Sequence, residues 1–516
     1  MSEPGGTFQD VVTGGVGSPT EIVVSDESPA LRPKVYRAIA WSSGASVFIQ
    51  IISFSAALVV TRLVSPTDFG RMALAVVVVG FFGIISETGL ATSLTQRHQI
   101  DRRHESAAFY VQVAASAGAA IVIVLGSGLL ADLMRQPAIR LVLVLLGCGL
   151  VVGSLGAVPR AILIRDLKMQ RIAMIDVSTV ITSGVVGVTL AMLGYGVWAL
   201  AWAAVCSAGV SVLGGYLATG WTPAAKFSRT AARDLFVFAR PFYGYTLINY
   251  LVRNGDNFLV GRFLGPLQLG LYSRAYALLL VPTRQTTSVI GGSLQVSLAR
   301  FASDKPRSRR VYLEACSHIV FIVMPVMTFG AILTADFVRI VLGPQWVAAI
   351  PTIQILAIVG IVEPLVATCG WLYFAQGRAD LSLRVSLLLG PLYLAAIAVG
   401  VAAGSAASVA MAYLLISVAL APVLLATAGG LIGIRLRDYA RCCRGAFVSS
   451  LGAGACVLAS RQLLVDSSSV TRLIVGLAVG SVVYLLLARA FKLPQLVMAL
   501  DLLARKFGRQ KPEAQA

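Results

Sequence analysis

The stretch TRLVSPTDFG, residues 61–70, is a polar turn between two apolar runs, and GRFLGPLQLG, residues 261–270, repeats it two hundred positions later. In this register Arg62 falls on Arg262, Leu63 on Phe263, Pro66 on Pro266 and Gly70 on Gly270, with Ala75 on Ala275 just beyond. The matches continue in order. Ala131-Asp132 in ADLMRQPAIR meets Ala335-Asp336 in ADFVRIVLGP, and Pro159 and Pro364 follow those aspartates by 27 and 28 residues. A single Pro-Gly turn would mark only a helical hairpin, but an ordered series of matches points to internal duplication.

Composition says what is duplicated. Of 516 residues, 57% are hydrophobic and 13% charged, with a mean hydropathy of +0.83, whereas soluble domains carry about 25% charged residues. A membrane helix needs roughly 20 mainly apolar residues. Fourteen runs of that length occur between about residues 38 and 488, none alternating as barrel strands do. The expected fold is an all-α polytopic membrane protein of two parallel-related six-helix lobes plus two C-terminal helices. The expected division is a disordered tail over 1–36, an N-lobe over 37–220, a linker over 221–235, a C-lobe over 236–434, two helices over 435–490 and a basic amphipathic tail over 491–516. An offset of six helices preserves orientation, so both copies of the turn fall on one side. Parallel repeats of this kind are a transporter architecture with the site between the halves.

Charge orients the chain. Thirty Lys and Arg precede the first run, fill the even-to-odd loops or follow the last run, against eight in the odd-to-even loops. The positive-inside rule puts the thirty, and both termini, in the cytoplasm. The formal net charge of +19 is thereby a matter of topology and implies no nucleic-acid partner. Seven scattered cysteines without ligand spacing imply neither disulfides nor a metal site. The C-terminal QLVMALDLLARKFGRQK is amphipathic and basic, suited to lie on membrane lipid.

Several motifs together resemble the Wzx-type polysaccharide flippases, of the polysaccharide-transporter branch of the multidrug/oligosaccharidyl-lipid/polysaccharide superfamily. They are TRLVSPTDFGRMALAVVVVGFF, ETGLATSLTQR, VPRAILIRDLKMQRIAMID, GYGVWAL, INYLVRNGDNFLVGRFLGPLQLGLYSRAY, GPQWVAAIPTIQILA and FAQGRADL, spread over roughly residues 35–440. Glu87 stands where an Asp is expected in the family's D-x-G-L pattern, which keeps the charge. The resemblance implies twelve core helices in two lobes and export of undecaprenyl-pyrophosphate-linked oligosaccharide units to the outer leaflet of the bacterial cytoplasmic membrane. A monomer without a cofactor is expected, with the lipid-linked oligosaccharide as substrate and the polysaccharide polymerase and export machinery as candidate partners.

Ionisable groups inside a bilayer face a cavity or a partner, because a central charge costs about 2.5–3.5 kcal/mol. On the seventh run Tyr245, Asn249, Arg253, Asp256 and Asn257 fall within one stripe at 100° per residue. On the eighth, Arg274 and Arg284 share a face near Pro282. A guanidinium fork suits pyrophosphate, so Arg253, Arg274 and Arg284 are candidate phosphate ligands, with Tyr245, Asn249 and Asn257 beside them. The competing reading is an Arg253–Asp256 pair at i, i+3, with Arg274 snorkelling to the interface. Asp256, Glu363, Glu87 and Asp176 are the candidates for proton or sodium coupling, or for charge pairing.

An enzyme is not expected. The outward loops are too short for a catalytic domain, and no phosphate-binding glycine loop, paired-carboxylate motif or metal cluster occurs, which argues against a membrane glycosyltransferase or polymerase. A cation-coupled drug antiporter of the same superfamily is the alternative; it would show an acid-dominated cavity, whereas arginines outnumber acids in runs seven and eight.

Overall fold

A computed structural model describes residues 32–86, 94, 100–224 and 227–498. The expected tail before residue 32, the last part of the C-terminal tail and Glu87 lie outside the described residues. Those described are helical nearly throughout. In order the helices are α1 (Arg32–Leu63), α2 (Pro66–Ser86), α3 (Arg102–Leu133), α4 (Pro137–Arg165), α5 (Met169–Met192), α6 (Val197–Thr219) and α7 (Arg229–Phe263). There follow α8 (Gly265–Arg300), α9 (Lys305–Leu342), α10 (Pro344–Ala375), α11 (Ala379–Ala402), α12 (Ala406–Gly430), α13 (Leu436–Leu463) and α14 (Ser469–Ala490).

Among the described residues, eleven helices are long and apolar enough to cross a membrane. Of the other three, α7 and α8 have 35 and 36 residues but carry fewer apolar positions, while α1 has 32 residues and is apolar over Phe48–Leu63. Local chemistry sets the ends. Asp101 caps α3 by accepting the Arg103 and His104 amides at 3.0 and 3.1 Å, and Ser468 caps α14 through the Thr471 amide at 3.1 Å. The repeated prolines behave differently. Pro159 lies just after a break at Gly156 that divides α4, whereas Pro364 sits inside an unbroken α10.

The described chain forms two compact units. One takes the residues up to Arg274 with 401–406, the other Ala275–Gly400 and the residues from Ala407 onward. Helix α7 packs on α2 and α3 within the first unit, where the Tyr250 hydroxyl donates to the Val77 carbonyl at 2.8 Å and the ring lies against Gly80.

The repeated turn occurs twice because its two copies pack on each other. A Cβ placed on Gly70 would overlap the Pro266 carbonyl, and one placed on Gly270 would overlap the Pro66 carbonyl. These reciprocal overlaps are the signature of a two-fold contact. Only glycine lets the backbones approach this closely. The next equivalent pair also plays matching parts: the Asp68 carboxylate lies against Gly196 at the start of α6, and the Gln268 side chain accepts the Ala406 amide at 2.9 Å at the start of α12.

In the second unit α9 packs against α13 and α14. Asp336 of α9 is fully buried there, with Arg461 Nε at 3.2 Å and Arg472 Nε at 3.1 Å. Three of the other guanidinium nitrogens reach the carbonyls of Ile332 at 3.3 Å and Val465 at 2.9 Å and the Ser469 hydroxyl at 3.1 Å. Its repeat counterpart Asp132 is exposed.

Candidate functional site

Helices α7 and α8 hold most of the polar positions expected to bind substrate. The side chains of Tyr245, Asn249 and Arg284 lie outside the described residues. Arg253 is exposed, with no hydrogen bond or ion pair among the described residues. An unpaired guanidinium keeps its charge and presents its donor fork to the surroundings.

Asp256 does not pair with Arg253. Its carboxylate accepts the Asn257 amide at 2.7 Å and the Tyr272 hydroxyl at 3.2 Å. The i, i+3 ion pair suggested by spacing is therefore replaced by a link from α7 to α8. The physical reason is Tyr272, which is fully buried and whose hydroxyl needs an acceptor there. Next to it, the Asn257 side-chain oxygen is buried without a partner among the described residues.

Arg274 is engaged elsewhere. One guanidinium nitrogen donates to the Ala57 carbonyl at 2.9 Å and to the Thr61 hydroxyl, and the group lies 4.9 Å from the Phe69 ring centroid. Thr61 in turn donates to the same Ala57 carbonyl at 2.6 Å. Hydrogen bonding and a cation–π contact together hold the arginine at the turn, rather than snorkelling into the interface. The repeat register clarifies this placement: Thr61 corresponds to Gly261, and Leu74 to Arg274. A Cβ on Gly261 would run into Leu74, so the same two-fold contact is made by Thr61–Arg274 on one side and Gly261–Leu74 on the other. No described contact joins Arg274 to Arg253.

The acids separate by environment. Asp176 on α5 makes a two-pronged pair with Arg160 at 2.7 and 3.2 Å, and both side chains are part-exposed. Glu363 is half-buried in α10 beside Pro364, within electrostatic reach of Tyr393, which hydrogen-bonds Ser417. Among the described residues there is no cluster of three or more His, Cys, Asp or Glu able to hold a metal. Sequence reasoning had no reason to single out Tyr272, Tyr250 and Thr61. The one available signal was the register, since Thr61 opens the repeated turn and Tyr272 follows its second copy.

Comparison with known proteins places this frame. Residues 59–351 match the family described as polysaccharide biosynthesis protein. The lipopolysaccharide biosynthesis protein WzxC of Escherichia coli is 25% identical over 395 residues, 75% of this chain and 80% of its own. The succinoglycan biosynthesis transport protein ExoT of Rhizobium meliloti is 26% identical over 501 residues, 95% of this chain and all of its own. Among solved structures, the lipid II flippase MurJ in an inward closed conformation superposes with a TM-score of 0.70 at 13% identity, over 87% of this chain and 98% of that one. An inward-facing multidrug-resistance MATE transporter of the MOP superfamily gives 0.59 at 15% identity, over 75% and 94%. These superpositions establish the helical fold, and the match over more than half its length establishes that the chain belongs to the polysaccharide biosynthesis protein family.

Proposed function

We propose that the chain flips undecaprenyl-pyrophosphate-linked oligosaccharide units from the inner to the outer leaflet of the bacterial cytoplasmic membrane, for surface polysaccharide assembly. The family match, on a duplicated all-helical membrane frame, carries this reading. The names of WzxC and ExoT add polysaccharide biosynthesis and transport. In this reading fourteen helices cross the bilayer, both termini are cytoplasmic and the lobes of the duplication rock about a central site. Arg253 meets the pyrophosphate, with Arg284, Asn249, Asn257 and Tyr245 around it. Asp256, Glu363 and Glu87 are the acids proposed for proton or sodium coupling, with Asp176 paired to Arg160. Arg274, held at the turn by Thr61 and Phe69, supports the frame around this site.

Deleting the gene should abolish one surface polysaccharide and leave its lipid-linked unit in the inner leaflet. Normal polysaccharide together with new drug sensitivity would instead select the cation-coupled antiporter. Orientation has its own test in a chain otherwise freed of cysteine. Leu267→Cys, at a position 46% exposed, should react with an impermeant maleimide from outside, and Ser303→Cys should react only after lysis. The reverse pattern would invert the topology.

A further inference from the structure

One cavity is lined by none of the α7–α8 residues. At the end of α12 the chain turns through Leu431–Ile434 into α13, with Gly433 at φ +72°. The turn is rigidly held. The Ile434 amide donates to the Gly429 carbonyl at 2.8 Å, and Ile432 and Ile434 are buried in the core of the second unit. Just beyond it, a cavity of about 520 Å³ is lined by Ala426, Ile434, Arg435, Leu436 and Arg437.

The charge of this cavity is unbalanced. The nearby acid is Asp438, which is already engaged twice: it accepts the Arg435 backbone amide at 2.9 Å as a helix cap, and it pairs with Arg309 at 2.9 Å. The side chains of Arg435 and Arg437 are exposed and have no hydrogen-bond or ion-pair partner among the described residues. Arg441, one turn along α13, approaches Asp438 only to 3.9 Å and adds to the positive field. An ordinary solvated loop would also be basic. It would not combine a fixed turn, an apolar floor and two unpaired forks at the end of two membrane helices.

We propose that this cavity holds an anionic phospholipid, with its phosphate between Arg435 and Arg437 and the first carbons of its chains along Ala426 and Leu436. A guanidinium fork recognises phosphate oxygens in pairs, and basic pockets between helix ends suit lipid headgroups. A water-soluble anion would leave the apolar side of the cavity unused. The proposal does not depend on the flippase reading, because either leaflet can supply the ligand.

The test uses the full-length purified protein, delipidated in detergent, with phosphatidylglycerol and phosphatidylcholine as probes and retained lipid counted by native mass spectrometry. Wild type should retain phosphatidylglycerol over phosphatidylcholine, and added salt should weaken the preference. Each arginine near an anionic headgroup is worth roughly fivefold in affinity. Arg435→Gln with Arg437→Gln should therefore lose about 25-fold by the same arithmetic. The control pair Arg102→Gln with Arg103→Gln, exposed at the start of α3, should lose nothing. Ala426→Phe narrows the apolar side of the cavity without changing charge and should also lower retention, which a merely solvated basic loop does not predict. Equal retention by wild type and the double variant overturns the proposal, as does equal loss in the control pair. Undecaprenyl pyrophosphate is the second arm. If it displaces phosphatidylglycerol at equimolar concentration, the cavity selects the polyprenyl carrier and the phospholipid assignment falls.

Discussion

Asp132 and Asp336 occupy equivalent places in the two halves of the repeat, yet one is exposed and the other wholly buried between two arginines. The difference comes from α13 and α14, which have no counterpart in the first half. They contribute Arg461 and Arg472 and cover the end of α9. Matching acids in the repeat register are thus an exposed helix-end residue in one half and the ion-pair partner of α13 and α14 in the other. The turn copies diverged in the same way: the contact kept its two-fold geometry, while Thr61–Arg274 replaced on one side what Gly261–Leu74 does on the other.

The largest effect should come from breaking the first comparison. Asp336→Ala leaves two arginines facing each other around a buried hole, and removing one partner of a buried ion pair costs about 3 kcal/mol or more. Asp132→Ala should fall within about 0.5 kcal/mol of wild type, as exposed substitutions do. Melting in detergent, followed by size-exclusion chromatography, measures both. Similar losses in the two variants would mean that the buried ion network does not hold α13 and α14.

Gly70→Ala and Gly270→Ala come next. Each Cβ meets backbone, which no rotamer change can relieve, so each should cost about 1–3 kcal/mol. Gly118, itself exposed on α3 with nothing within 4 Å, gives the opposite sign: Gly118→Ala should be neutral or stabilise by up to about 1 kcal/mol. A tolerated Gly70→Ala would falsify the close two-fold contact.

Arg274→Leu copies the residue found at Leu74 and removes the hydrogen bonds to Ala57 and Thr61, at about 1–2 kcal/mol. Adding Thr61→Gly completes the other side's pair, and a coupling of about 0.5 kcal/mol or more should appear in the double-mutant cycle. Export by the double variant at wild-type level per molecule would confine Arg274 to the turn. Failure of export in a fully folded double variant would return it to the substrate site.

The smallest change in stability and the most specific change in function belong to Arg253→Lys. The side chain is exposed and unpaired, so abundance should hold within about 0.5 kcal/mol of stability. Losing the fork should lower export by about tenfold, the equivalent of one charge-assisted hydrogen bond. Unchanged surface polysaccharide per molecule would remove Arg253 from the pyrophosphate site.

Apolar run length was enough, without coordinates, to give the all-helical membrane frame, and an ordered series of matches pointed to its duplication. These are properties of single segments and of their order, and a bilayer forces such segments into helices because no other open structure satisfies the backbone. The repeated Pro and Gly were visible too, but why Gly70 and Gly270 are glycine was not, since each answers to a carbonyl two hundred residues away. The same limit applied to charge. Spacing along α7 put Asp256 within reach of Arg253, and only packing could bring Tyr272 from α8 to its carboxylate instead. Arg274 read as a phosphate ligand or a snorkelling arginine until α1 and α2 supplied Thr61 and Phe69, and Asp336 was only one match in the repeat register until α13 and α14 enclosed it. The period of a helix tells which residues share its face. Which face meets which neighbour, and so which charge finds a partner, is decided by how the helices pack.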